Sequence, residues 1–186
     1  MAADSDLLRR ARAGDPAAFD TLVARHGGLV LSVARRVTGH RQDAEDVAQE
    51  AFLRFYRKLA DFDLTRPVEP WLVQITLNVA RSHMRRTPAR REQALPDEPL
   101  TSSDRGPERN LEAAEIQRLL LAAASHLSER ERLVFLLRDI ESLPSSLIAQ
   151  ALGISEVTVR RQSSEGRRKV LAWLRLHHPE VLPGGR

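Results

Sequence analysis

Asp46, Gln49, Glu50, Leu53 and Arg57 recur at steps of three and four along residues 43–59, DAEDVAQEAFLRFYRKL, so on a helix they share one face. That face is acidic at one end and basic at the other, with an apolar residue between. A purely solvated face has little use for Leu53, and the combination suits docking of a large, basic protein partner. Two other clusters are positive. Residues 81–91 hold five Arg and no acid, and residues 156–175 hold six basic residues against two acids. Separate basic patches on one chain suit an elongated polyanion such as nucleic acid. No constellation for covalent chemistry accompanies them. The six His show no pairing pattern and no Gly-rich phosphate loop is present. The absence of Cys excludes disulfides and thiolate metal sites. The chain is therefore expected to bind rather than catalyse, without metal or cofactor.

The elements that must carry these residues read as helices throughout. Residues 4–13 form a short helix broken at Gly14. Asp15-Pro16 caps and starts a second helix that reaches Thr38, with Gly27-Gly28 as a candidate kink and Gly39 as its end. Ala44, Val47, Ala48, Ala51, Phe52, Phe55 and Leu59 form a broad apolar stripe, so residues 43–59 are one amphipathic helix, with Asp43 as a candidate cap. A loop at 61–70 precedes a helix over 69–86 whose inward residues are Trp71, Leu72, Ile75, Val79 and Met84. Residues 87–108 contain four of the ten prolines, with Ser102, Ser103 and Gly106, and no apolar periodicity, the composition of a linker. A second helical unit begins near Arg109. Ser128-Glu129-Arg130-Glu131 matches a capping box. Residues 145–152, Gly153, and a longer helix opened by Ile154-Ser155 and ending near Leu176 have the lengths of a helix-turn-helix. No apolar run of eighteen residues is present, so membrane insertion is not expected, and the acidic N-terminus does not read as a secretory signal. A cytoplasmic protein fits these features. The fold class is all-α: an N-terminal helical domain at 1–88, a Pro-rich linker at 89–108, a C-terminal helix-turn-helix domain at 109–177 and a tail at 178–186.

Residues 43–59, followed by a loop and PWLVQITLNVARSHMRR, resemble the second conserved region of bacterial RNA polymerase sigma factors. LSERERLVFLLRDIESLPSSLIAQALGISEVTVRR resembles their fourth region. The two-domain layout is similar to the extracytoplasmic-function (ECF) group, and the resemblance spans about residues 5–175. It implies an alternative sigma factor that binds core polymerase and directs promoter-specific initiation. By that resemblance, Asp46, Gln49, Glu50 and Leu53 would grip the clamp helices of the polymerase largest subunit. Phe62, Asp63 and Arg66 fall in the loop matching the segment that captures a flipped base of the minus-ten element. Asn78, Arg81, Ser82, Arg85 and Arg86 match the helix facing that element. Ser155, Thr158, Arg160, Arg161, Ser164, Arg167 and Arg168 lie on the helix matching the minus-35 reader. The linker matches the segment threaded toward the polymerase cleft, and an anti-sigma factor is an implied partner.

The sequence also departs from the family. Ser163 stands where a core Leu is common, and Glu165 where a DNA-facing Arg is common. Gly166 weakens the reader helix by about 1 kcal/mol relative to Ala. Ser145-Ser146 replace a usual acidic pair, and Ser82 a frequent Asp. A carboxylate at 165 would be repelled by phosphate or would accept from a cytosine amino group. Two other readings follow from these departures: a sigma-like decoy that occupies an anti-sigma factor, and a stand-alone helix-turn-helix regulator. The first would yield no transcript with core polymerase. The second would bind duplex without polymerase and would leave the acidic helix unexplained.

Overall fold

The structure, a computed structural model, describes residues 2–86 and 107–182, with the side chains of 4–86 and 115–182. The first unit is built from α1 (Ala2–Arg12), α2 (Pro16–Thr38), α3 (Arg41–Lys58), a 3-10 turn at Leu59–Asp61 and α4 (Glu69–Arg86). The second comprises α5 (Pro107–Ala124), α6 (Glu129–Phe135), a π-turn at Leu136–Ile140, α7 (Ser145–Leu152), α8 (Glu156–His177) and a 3-10 turn at Pro179–Val181. No strand occurs among the described residues. The linker expected at 89–108 lies outside them, except that α5 already starts at Pro107 rather than Arg109. Pro suits a first helical turn, because its missing N–H would have no intrahelical acceptor there.

Asp15 caps α2 through Oδ1, which accepts from the Ala17 and Ala18 amides at 3.0 and 3.3 Å. Gly39, at φ 77°, closes that helix in the left-handed region that glycine enters without a Cβ clash. The candidate kink at Gly27-Gly28 does not break the helix: α2 is continuous from Pro16 to Thr38. Tertiary packing overrides the local weakness, since Leu22, Val30, Val33 and Ala34 pin both halves of the helix in the core. Asp43 is not the cap of α3. The helix starts two residues earlier, with His40 at the cap position. Asp43 is instead buried in the first turn, its Oδ1 3.2 Å from Nε2 of His83 on α4. That contact ties the start of α3 to the end of α4.

The core of the first unit holds the stripe read from the sequence: Ala44, Val47, Ala51, Phe55 and Leu59 are buried, with Ala48 and Phe52 packed beside them. Aromatic rings extend it outward. Phe55 stacks on Phe19 (centroids 5.9 Å apart) and meets Trp71 edge-on at 5.3 Å. Trp71 stacks on Phe62 at 4.4 Å and 11°.

In the second unit the capping box forms as read. Ser128 Oγ accepts from the Glu131 amide at 3.4 Å, and Glu131 Oε2 accepts from the Ser128 amide at 3.1 Å. Lys169 of α8 donates to Glu131 Oε1 at 2.7 Å, so one carboxylate caps α6 and holds α8. Chiefly that Lys169 bond, and then Ser128, hold the Glu131 carboxyl at about 2. A depressed carboxyl contributes stability that is present above its unfolded value and lost as pH falls through its folded one. Glu131→Gln is expected to cost about 1–2 kcal/mol at pH 7, discounted because water reaches Lys169. It should also flatten the loss of stability between pH 4.5 and about 2, read by acid titration of the far-UV signal. The expected tail is partly structured: Val181 and Leu182 pack on the cluster formed by α5, α8 and their neighbours.

The two units touch. Val33 of α2 and Val73 and Leu77 of α4 share a buried cluster with Leu133, Leu137 and Ile148 of the second unit.

Candidate protein-docking and nucleic-acid interface

The acidic face of α3 is open. Asp46, Gln49 and Leu53 are exposed, Leu53 at 46%, and Glu50 is half-buried with its Oε1 accepting from Arg54 Nε at 2.7 Å. The opposite stripe fixes the helix, so these side chains project together from a rigid backbone. Tyr56, 51% exposed and packed edge-on against Phe19, extends this apolar surface. The sequence reading passed over it because Phe19 lies far away in the chain. An exposed Leu and Tyr beside three polar groups, two of them carboxylates, make a surface for a protein with apolar and basic groups.

The loop after α3 is preformed. Asp63 Oδ1 accepts from the Thr65 amide at 3.0 Å and from Thr65 Oγ1 at 2.7 Å, closing a local turn. The Thr65 hydroxyl and then its amide hold the Asp63 carboxyl below the usual carboxylate range. Phe62 does not reach toward solvent as expected of a base-contacting residue. It is 8% exposed and lies face to face with Trp71. A ring of that area is better buried against a neighbouring indole than left in water. Phe62 therefore anchors the loop, helped by Arg12 Nη1, which donates to its carbonyl at 3.5 Å. Beside the loop lies a cleft of about 430 Å³ whose walls include Asp63, Arg66, Pro67, Trp71 and Gln74. Arg66 is exposed.

On α4, Asn78, Arg85 and Arg86 are exposed and Arg81 and Ser82 half-buried; Arg81 and Arg85 lie away from the stripe of Leu72, Ile75 and Val79, whereas Ser82 and Arg86 follow Ile75 and Val79 by seven residues and continue it at the helix end. Arg85 Nη2 donates to Ser82 Oγ at 3.3 Å. Arg81 Nε donates to Glu129 Oε1 of α6 at 3.1 Å. The acidic face of α3 and the cationic end of α4 thus belong to one helical unit, joined by the Asp43–His83 contact.

In the second unit, Ser155 caps α8: its Oγ accepts from the Thr158 amide at 3.1 Å and lies 2.8 Å from Thr158 Oγ1. Arg160, Arg161, Ser164, Arg167 and Arg168 are exposed along the helix. Three of these Arg meet local acids: Arg160 with Glu156 (3.3 Å), Arg167 with Asp139 (3.6 Å) and Arg168 with Glu165 (3.9 Å). The Arg160–Glu156 and Arg168–Glu165 pairs are exposed, and such pairs are weak and exchange readily for phosphate. Ser163 is fully buried and its hydroxyl donates to both oxygens of Asp139, at 2.9 and 3.2 Å. Burial pushes the Asp139 carboxyl up, against the opposing pull of Ser163, Arg167 and Arg138. This pair fills the position expected for a core Leu and binds α8 to the π-turn.

Gly166 is buried, and a Cβ there would lie 3.6 Å from both Leu127 Cδ1 and Phe135 Cβ, ordinary contact distance. Gly166→Ala is accordingly expected to stabilise the protein by about 0.5–1 kcal/mol, seen as a higher thermal midpoint.

No group of three or more His, Cys, Asp or Glu among the described residues could hold a metal ion, and no described helix is long and apolar enough to cross a membrane.

Residues 22–90 match the family described as Sigma-70 region 2, and residues 117–170 that described as Sigma-70, region 4. The chain is 33% identical over 173 residues to the ECF RNA polymerase sigma factor SigE of Mycolicibacterium smegmatis, covering 90% of this chain and 67% of SigE. It is 31% identical over 175 residues to the RNA polymerase sigma factor NccH of Alcaligenes xylosoxydans xylosoxydans, covering 92% of this chain and 94% of NccH. Among solved structures it is similar to CnrH in complex with the cytosolic domain of CnrY. That match has a TM-score of 0.70 and 30% identity, over 94% of this chain and 99% of CnrH.

Proposed function

Since the chain belongs to the ECF RNA polymerase sigma factors, we propose that it docks core polymerase through the α3 face and opens and reads promoter DNA through α4, the 62–68 loop and α8. It is an alternative sigma factor that directs transcription initiation. The observation that carries the residue assignments is the joining of an open acidic face (Asp46, Gln49, Leu53) to a cationic helix end (Arg85, Arg86), with Asn78 exposed on the same helix, in one helical unit.

Promoter opening requires unstacking bases, at a cost of a few kcal/mol per step. A cleft that holds an extruded base offsets that cost, and cations beside it hold the flanking phosphates. The cleft beside Trp71 has Arg66 on its wall, and the preformed Asp63–Thr65 turn means little of the loop has to be ordered on binding. Trp71 and Phe62 give that cleft a stiff floor. Residues Asn78, Arg81, Ser82, Arg85 and Arg86 would track the same element. On α8, Ser155, Thr158, Arg160, Arg161, Ser164, Arg167 and Arg168 would face the minus-35 duplex, with the Ser163–Asp139 bond setting the helix's depth. Such a factor supplies binding energy while polymerase supplies the chemistry, so it acts in the cytoplasm as a binding protein without cofactor. CnrH is found bound to the cytosolic domain of CnrY, which supports a protein inhibitor of the anti-sigma kind as a further partner here.

The test is run-off transcription with purified core polymerase and chain, followed by sequencing of the promoters used. Start sites that share a minus-ten and a minus-35 sequence support the reading. A chain that binds an anti-sigma factor yet yields no transcript from any template would be a decoy.

A further inference from the structure

Resting on the reading of α8 as the duplex-facing helix, we propose that Val157 is a specificity-determining residue, whose side-chain methyls select a thymine of the minus-35 element through the C5-methyl of that base. Val157 is 67% exposed, in the first turn of α8. Its place on the helix gives that exposure a direction. Val159, Ser163, Gly166 and Val170 are buried, at steps of four, three and four residues. Val157, Arg161, Ser164 and Arg168 are exposed and recur at the same steps, displaced by two residues. Two residues are about 200° of helical turn, so the exposed stripe runs along the side opposite the buried one. A helix laid in a major groove turns such a stripe to the base edges and its flanks to the phosphates. Three members of the stripe are polar or cationic, and Val157 alone is apolar.

The neighbours of Val157 engage one another. On one flank Arg160 Nη1 donates to Glu156 Oε2 at 3.3 Å. On the other, Ser155 Oγ accepts from the Thr158 amide at 3.1 Å and lies 2.8 Å from Thr158 Oγ1. The two methyls of Val157 stand between these pairs, facing water. In the free protein that position has no advantage. A β-branched residue is a poorer helix former than Ala, and its apolar surface stabilises nothing until another surface covers it.

The major groove presents one kind of apolar group, the thymine C5-methyl. A Val side chain against it removes both from water. A cytosine in the same place would bring its N4 amino donor against methyl groups and leave it without an acceptor, so the contact discriminates as well as attracts. Arg161, one turn further on, lies about 6 Å along the helix axis. Its guanidinium suits the paired O6 and N7 acceptors of guanine. The two side chains therefore address base pairs about two steps apart. In this arrangement the first turn of α8 reads by shape and methyl contact, and the next turn reads by hydrogen bonding.

The test uses holoenzyme assembled from core polymerase and the full chain. The promoters it transcribes define the minus-35 consensus, and the selection is repeated with Val157→Ala. One thymine is expected to lose about fourfold in preference, the worth of one buried methyl group, while the other positions keep theirs. Uracil in place of that thymine deletes only the C5-methyl. In a duplex promoter it should weaken binding of the wild-type holoenzyme about fourfold and make no further difference to Val157→Ala. A thermal melt of the free variant should match the wild type, because the side chain is exposed before DNA arrives. A consensus that Val157→Ala leaves intact at every position, or a uracil effect equal in both proteins, would overturn the assignment. Start sites that share a minus-ten but no minus-35 sequence would remove α8 as a duplex reader and this assignment with it. Absence of any transcript with the wild-type chain would bring down the sigma-factor reading as a whole.

Discussion

Reversing two carboxylates, Asp46→Arg with Glu50→Arg, is expected to weaken binding to core polymerase by about two orders of magnitude or more at low salt. The physical reason is the openness of the α3 face. Asp46 and Gln49 have water around them, so in a complex their charge and hydrogen bonds face the partner alone. Two new cations there would meet a basic partner as like charges, and a mispaired charge at an interface costs several kcal/mol. Glu50 contributes less by itself, because it already accepts from Arg54 at 2.7 Å. The fold should tolerate the change, since the opposite stripe through Val47, Ala51 and Phe55 is untouched. The check is a dissociation constant for core polymerase beside a thermal melt. Wild-type affinity with an unchanged melt would remove α3 from the docking surface. Salt gives an independent reading: the wild-type complex should weaken as ionic strength rises, and the doubly reversed variant much less so.

Phe62→Ala is expected to lower stability by about 3 kcal/mol, the cost of deleting a buried aromatic ring. A base-contacting residue would behave otherwise, losing DNA binding at constant stability. The structure separates the two outcomes because Phe62 is 8% exposed and stacked on Trp71, which in turn meets Phe55 of the core. Phe62→Leu keeps most of the apolar volume and should cost less than about 1.5 kcal/mol. Denaturant melts of both variants decide the matter. If Phe62→Ala melts like the wild type while minus-ten single-strand binding falls, the ring faces the nucleic acid and its stacked position is wrong.

Much of the architecture was legible in the residues because helices announce themselves locally. Asp15-Pro16, Gly39, Ser128 with Glu131, Gly153 and Ser155 are punctuation whose chemistry acts within a few residues, and each marks an end where it was expected. The apolar stripe of α3 was likewise readable, since a period of 3.6 residues is a local property. Local rules failed where distant residues decided. Asp43 has the chemistry of a cap, yet His83, forty residues on, makes it a buried partner. Gly27-Gly28 has the chemistry of a helix break, yet α2 runs unbroken through the surrounding core. Phe62 reads as a lone loop aromatic until Trp71 folds over it.

The seam between the units shows the limit most clearly. Val73 and Leu77 lie off the stripe of Leu72, Ile75 and Val79, and the stretch WLVQITLNVA carries only Gln74, Thr76 and Asn78 as polar residues. A helix apolar on more than one side is buried on more than one side, so this was the one available sign that α4 has a second neighbour. Nothing local says which neighbour. Ser32, Arg36, Gln117 and Glu141 look like ordinary surface residues in the chain, separated by up to 109 positions, and become a shared polar edge only when α2, α5 and the π-turn meet. By itself, then, the sequence determined the helices, most of their ends and the charge their faces carry, because spacing and charge are local. The tertiary structure alone decided which side chains stay available on those faces and how the two units close on each other, because burial and pairing depend on partners far apart in the chain.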